Sequence, residues 1–365
     1  MNEYIESDKL QEDNEIPSEK AEDTTPHECS VQLMSPTRMI IRRFFRSKLS
    51  VIGIIMLASL MLFCFLGPVV YDKWGEIEVD ESPIVEYTTK TIVYEKDGKT
   101  HTVYQIIEKT EKENALAPIS KDHPLGTDET GYDVLTRLMY GGRISLIIGF
   151  ISVFIITVLG VIIGGIAGYF GGACDNIIMR LCDVLMCIPG FPIMLIFGTV
   201  LTAFGEMDNP SAIQAIMGDP QYRIYFLMAF LTLFSWPGTA RLVRGQILYL
   251  REQEYMVAAE AMGYSTPRKI FKHLVPNIMP QLIVSMTLSL GSMILYEASL
   301  SFLNMGVQPP YAAWGTMINA ASDLNILENF INIWAPPGIC IVIAVLGFNF
   351  VGDGLRDALD PKARR

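Results

Sequence analysis

Residues 144–170 read ISLIIGFISVFIITVLGVIIGGIAGYF, a run of 27 positions without a charge. As a helix it would be about 40 Å long, more than the roughly 30 Å of a bilayer's hydrocarbon core. Working outward, further apolar runs fall at about 49–71, 184–205, 223–240, 278–303 and 333–351. Six spans follow, and an even number puts both chain ends on one side of the membrane. The expected fold is an all-α polytopic membrane protein with six transmembrane helices.

Composition agrees. Of 365 residues, 50% are hydrophobic and 18% charged, and the mean hydropathy is +0.33. That is too apolar for a soluble domain and leaves room for sizeable polar segments. A formal net charge of -11 argues against nucleic acid as a partner. The six cysteines form no disulfide framework, since the polar stretch 72–120 holds none. His27, His101, His123 and His273 are widely separated, so no metal site is expected.

Charge sets the orientation. Arg38, Arg42, Arg43, Arg46 and Lys48 precede the first run and place the N-terminus in the cytoplasm. The segment after the fourth run carries Arg241, Arg244, Arg251, Arg268, Lys269 and Lys272, as that topology requires. The chain divides into an acidic disordered cytoplasmic tail (1–35), a basic segment with helix 1 (36–71), an extracellular region (72–140), the transmembrane core (141–356) and a cytoplasmic C-terminus (357–365). Within the extracellular region, β-rich residues on either side of Asp97-Gly98 predict a β-hairpin near 88–107. Gly98-Lys99-Thr100 mimics the end of a phosphate-binding loop, but Val93 stands where that motif needs glycine. Arg42-Arg43 lacks the cleavage site of an export signal, and Phe63 before Cys64 excludes lipoprotein processing. The first helix is read as uncleaved.

Four features carry functional expectations. Gly160, Gly164, Gly168 and Gly172 recur every four residues, a pattern that lets helix backbones approach closely in lipid. Asp175, Arg180 and Asp183 open the third span and can pair with one another, while Pro189 and Pro192 should break it. Glu297 lies deep in the fifth span, either facing a substrate pathway or accepting hydrogen bonds that hold the turn at Asn304-Met305-Gly306. In 251–277, one short helix runs to Met262 and stops at Gly263. A second starts at Ser265-Thr266-Pro267 and ends at Leu274, before Pro276. Small Ala258 and Ala259 beside the bend would allow a partner to dock closely.

Four separated blocks then resemble the permease subunits of type I ATP-binding-cassette importers, in particular the C-type permeases of oligopeptide and dipeptide importers. They are His123-Pro124-Leu125-Gly126-Thr127-Asp128 with Gly131 and Asp133, leading to Gly141 and Arg143; Tyr255, Ala258, Ala259, Gly263, His273, Pro276 and Asn277; Glu297 to Leu303 with Gly306, Pro310, Trp314 and Gly315; and Gly352 to Pro361. They cover roughly 36–71 and 118–361. Tyr132, Asn304 and Val257 depart from the family's usual Arg, Gly and Glu, and the tail and the hairpin region are additions. The resemblance implies a non-catalytic subunit of a bacterial cell membrane. It would work with a homologous second permease, two ATPase subunits that bind the ATP and Mg, and an extracellular substrate-binding protein, to import peptides. It makes 251–277 the loop that docks on the ATPase.

The same blocks occur in nickel importers, so import of nickel or a metal chelate is the nearest alternative. A stand-alone secondary transporter would show internal repeats and leave the docking loop unexplained. An intramembrane protease needs a nucleophile with a base in reach, and no histidine falls within a span.

Overall fold

The computed structural model describes residues 36–73, 86–96, 99–110, 115–207, 211–219, 222–307 and 311–359. The expected tail at 1–35, the turn residues Asp97-Gly98 and the last residues from 360 lie outside them.

A basic helix α1 (Pro36–Arg46) leads through Ser47 into α2 (Lys48–Val70). Residues 86–110 hold two antiparallel strands, β1 (Glu86–Lys96) and β2 (Lys99–Thr110), with an irregularity of register between Thr88 and Thr89. They extend past 88–107 at both ends. Then come α3 (Val134–Phe170), α4 (Gly172–Cys187), α5 (Gly190–Gly205), the short α6 (Ala212–Gly218) and α7 (Arg223–Arg251). Helix α8 (Glu254–Ala261), the single turn α9 (Thr266–Arg268), α10 (Val275–Phe302), α11 (Trp314–Asn319), α12 (Leu324–Asn329) and α13 (Ile331–Leu359) complete the chain.

Among the described residues, five helical stretches are long and apolar enough to cross a membrane, and the α4–α5 pair makes up to six. That pair bends by 73°. The break follows from Pro189, which caps α5 and keeps Ile188 extended. Helix α3 begins ten residues before the uncharged run because Asp133 caps it, accepting from the Thr136 N–H at 2.7 Å. The expected boundary at 140/141 therefore falls inside a helix. Helix α7 continues past 240, so Arg241, Arg244 and Arg251 stand on its last turns rather than in a loop. At 29 residues it is about 43 Å long, enough to carry those turns beyond the hydrocarbon.

Helix α3 packs along α7, and α13 packs on both α2 and α10. Three of the four spaced glycines make the first contact possible. A Cβ on Gly160 would stand 2.6 Å from the Thr239 side chain, one on Gly164 would meet the Ala240 backbone, and one on Gly168 would lie 2.9 Å from the Arg244 carbonyl. Gly172 does not belong to this stripe. The helix ends before it, its φ is +55°, and it opens α4 with no neighbour within 4 Å. The acidic residues of α4 also pair differently from expectation. Asp175 accepts from Arg244 Nε at 2.9 Å and Nη2 at 2.5 Å, and Asp183 pairs with Arg241, so both bind α7 while Arg180 makes no ion pair among the described residues. Arg244 and Arg241 are across the helix interface, at contact distance only once the chain has folded.

Candidate functional site

At the end of the bundle where α7 stops, the chain turns through α8. Gly263 (φ +71°) ends that helix: its N–H donates to the Glu260 carbonyl and the Tyr264 N–H donates to that of Ala259. This paired closure needs the left-handed conformation that glycine adopts without strain. Ser265 then takes the N-cap position, and Pro267 lies in the first turn. The expected second short helix does not end at Leu274. A π-helical segment, Lys269–Leu274, joins it directly to α10, so the element is the protruding start of a long helix. The widened turn directly precedes Pro276, whose ring would otherwise crowd the carbonyl four residues back.

The bend is held by side chains. The Tyr264 ring stacks on His273 at 5.9 Å, the Arg268 guanidinium lies 4.4 Å from the Tyr264 ring centre, and Lys269 Nζ is 3.8 Å from Glu260. Asn277 donates to the His273 carbonyl at 2.7 Å and to the Tyr255 hydroxyl at 3.3 Å. Pro276 is exposed beside it. The two alanines differ: Ala258 is exposed, whereas Ala259 is buried. Only Ala258 is on offer to a partner; the small size of Ala259 serves the packing beneath. Around it Tyr255, Val257, Met262 and Phe271 are exposed, Phe271 at 73%. Underneath, Met256 and Leu274 are buried with Val243, Ile247 and Ile278. The result is a firmly seated knob whose outer surface carries an apolar patch among exposed Glu254, Glu260, Arg268 and Lys272. Sequence reading missed the exposure of Val257, Met262 and Phe271; large apolar residues interspersed in an otherwise charged loop were the available signal.

Glu297 is fully buried. Its carboxylate accepts from Ser145 of α3 and from Ser301 one turn later in α10, both at 2.7 Å. Ser145 Oγ in turn accepts from the Trp314 N–H at 3.4 Å. Gly315 sits against the Ala298 backbone. Glu297 therefore pins α3, α10 and α11 together, and it lines none of the cavities described along α10. The neighbouring turn has Asn304 at φ 60°, the residue that stands where glycine was expected. Asparagine is among the few side chains that tolerate this conformation. The first block also has a structural job. His123 Nδ1 lies 2.8 Å from Asp133, while Asp128 takes the N–H groups of Thr130 and Tyr132 and pairs with Arg137. Tyr132, the other departure, lays its ring 5.4 Å from the Arg137 guanidinium.

The opposite face of α10 is different. Ser285, Ser289, Ser292, Tyr296 and Ser299 fall on one stripe at spacings of four and three. A cavity of about 450 Å³ lies along it at the α4–α5 bend, walled by Leu185 and Ile188, by Phe234 and Ser235 of α7, and by the first four of the stripe. Two more, of about 280 and 380 Å³, continue past Phe191, Leu295 and Ser299 to Leu303. From Ser285 to Leu303 the groove runs about 27 Å along the helix, close to the hydrocarbon thickness. Ser289 and Ser299 donate to carbonyls of their own helix at 2.8 and 2.7 Å, which leaves their lone pairs available. Hydroxyls at heptad spacing in an apolar run were a readable signal that went unread.

The family described as binding-protein-dependent transport system inner membrane component matches residues 160–365, and the N-terminal TM domain of oligopeptide transport permease C matches residues 35–81. The oligopeptide transport system permease protein OppC of Bacillus subtilis is 35% identical over 324 residues, covering 88% of each chain. The dipeptide transport system permease protein DppC of the same organism is 34% identical over 91% of this chain and 88% of its own. The glutathione transport system permease protein GsiD of Pectobacterium atrosepticum is 39% identical over 67% of this chain and 74% of its own. With its apolar helices, its knob and its groove, the chain belongs to the inner-membrane components of binding-protein-dependent transport systems.

Proposed function

We propose that this chain is the permease subunit of an ATP-binding-cassette importer that carries oligopeptides or dipeptides into a bacterial cell. In this reading both termini are cytoplasmic, and residues 86–110 stand outside, where a substrate-binding protein delivers cargo. A homologous second permease completes the pathway. Two ATPase subunits bind ATP and magnesium and dock on the knob at 254–273, while this chain does no chemistry of its own.

The observation that carries the reading is the groove along α10. It is nearly as long as the membrane core is thick and offers hydroxyl groups and apolar surface without fixed charge. Such a lining suits cargo whose constant feature is a polar amide backbone and whose side chains vary, because hydroxyls both donate and accept. The nickel alternative has less support: the groove presents no imidazole, thiol or carboxylate, and among the described residues no group of these could hold a metal ion. The firmly built knob supports a partner-driven machine over a stand-alone transporter. Motion of the ATPases would pass through Tyr255, Ala258, Gly263 and His273 into α10, whose first turn the knob continues.

The test is purification of the tagged chain from mild detergent with an ATPase assay of the complex. A second permease and two ATPases, with hydrolysis stimulated by a peptide-loaded binding protein, is the expected result. A lone chain, or a complex stimulated by a nickel-loaded binding protein and not by peptide, would overturn it.

A further inference from the structure

We propose that α1 is a docking surface for anionic lipid headgroups. Only one residue, Ser47, separates it from the first span, so α1 lies at the level where the chain enters the bilayer. Its sides have three different surroundings. Phe44 is buried and packs beside Gly354 of α13, which anchors the helix to the bundle. Ile41 and Phe45 are 52% and 59% exposed on the adjoining side. Arg42, Arg46 and Lys48 are exposed and Arg43 half-buried, and none of these four forms a hydrogen bond or ion pair within the described residues.

Unpaired arginines beside exposed Ile and Phe make an interfacial surface: the apolar side chains enter the acyl boundary and the cations meet phosphates. Each cation near such a surface is worth about fivefold in affinity. The anchor on α13 also gives a route by which lipid binding steadies the bundle, because α13 packs on α2 and α10. The inference rests on the membrane reading alone and is independent of the cargo.

The rival occupant is within the chain. Residues 1–35 hold ten acidic residues and two lysines and could cover the same arginines. The bilayer is preferred because Ile41 and Phe45 need continuous apolar surroundings, and a tail with ten acidic residues and no Phe or Trp supplies them less fully than acyl chains do.

The experiment titrates the full-length chain in mild detergent with phosphatidylglycerol or phosphatidylcholine and reads its thermal unfolding midpoint. Phosphatidylglycerol is expected to raise the midpoint and phosphatidylcholine is not. In the triple variant Arg42→Gln, Arg43→Gln, Arg46→Gln the half-saturating phosphatidylglycerol should rise about a hundredfold. The triple Arg→Lys variant should keep the response, which separates charge from simple loss of packing. Equal stabilisation by both lipids, or a response that survives the Gln triple, would overturn the proposal. A phosphatidylglycerol response seen only after deletion of 1–35 would also overturn it, by assigning the arginines to the tail.

Discussion

Glu297 of α10 and Ser145 of α3 are 152 positions apart in the chain and share a 2.7 Å hydrogen bond in the bundle interior. Because the same carboxylate also takes the Ser301 hydroxyl, replacement by Leu strands two buried hydroxyls and removes the tie between helices. Glu297→Leu should cost about 3 kcal/mol of stability, as breaking a buried polar network does. Glu297→Gln keeps an acceptor and should cost about 1 kcal/mol. Unfolding of the purified chain in detergent checks both, and a Leu variant as stable as the parent would refute the pinning role.

The α3–α7 contact makes a sharper contrast. Gly164→Val places a methyl against the Ala240 backbone and should abolish accumulation of folded chain. Gly245→Ala on α7 meets nothing within 4 Å and should be neutral or stabilising by about 0.5–1 kcal/mol. Membrane-fraction yield and unfolding midpoints of the two variants distinguish a packing glycine from an incidental one.

Gly263 is the residue whose backbone closes α8. Gly263→Asp should insert normally yet lose transport, because its Cβ is strained at φ +71° and its charge stands beside the apolar patch. Phe271→Asp should do the same without touching the backbone. Normal uptake by both variants, with the complex assembled, would show that the knob couples nothing.

Glu129, in the loop before α3 and exposed, has its carboxyl raised above the usual glutamate value, first by partial loss of its water and then by the neighbouring charges of Asp128 and Asp323, with Arg137 opposing. A raised folded value means that its favourable contribution is complete below the unfolded value and is lost as pH rises through the folded one. Glu129→Gln should therefore remove a small decline in stability that the parent shows as pH rises above the ordinary glutamate range. Parallel stability–pH curves for the two would contradict this.

Much of this architecture is legible in sequence because hydrophobic length dominates. The run at 144–170 has no soluble alternative, Pro189 announces the bend between α4 and α5, and Gly263 announces the end of α8. What escaped depends on contacts between distant segments. Asp175 and Asp183 have Arg180 nearby in sequence, yet their partners are Arg244 and Arg241, which only the α4–α7 packing brings close. The start of α3 was hidden because Arg137 and Arg143 interrupt the apolar run; in the folded chain Arg137 pairs with Asp128, and Arg143 donates to the carbonyls of Cys64 and Phe65 at 2.7 and 2.9 Å. For Glu297 the sequence leaves two readings open; in the fold its carboxylate is buried and takes Ser145 and Ser301, a partner 152 positions away and one on its own helix. Gly172 shows the limit of periodicity: it keeps the spacing of a helix that has already ended.

The most direct test is uptake of a labelled oligopeptide into proteoliposomes holding the intact complex, comparing the parent chain with Ser289→Trp. Ser289 lines the groove, and a bulky ring there should obstruct it without touching the Glu297 pin or the knob. The expected result is ATP-dependent peptide accumulation by the parent and a loss of at least tenfold in the variant, with ATPase subunits still bound. Undiminished accumulation by the variant, or none by the parent, would contradict the assignment of the α10 groove as a peptide pathway.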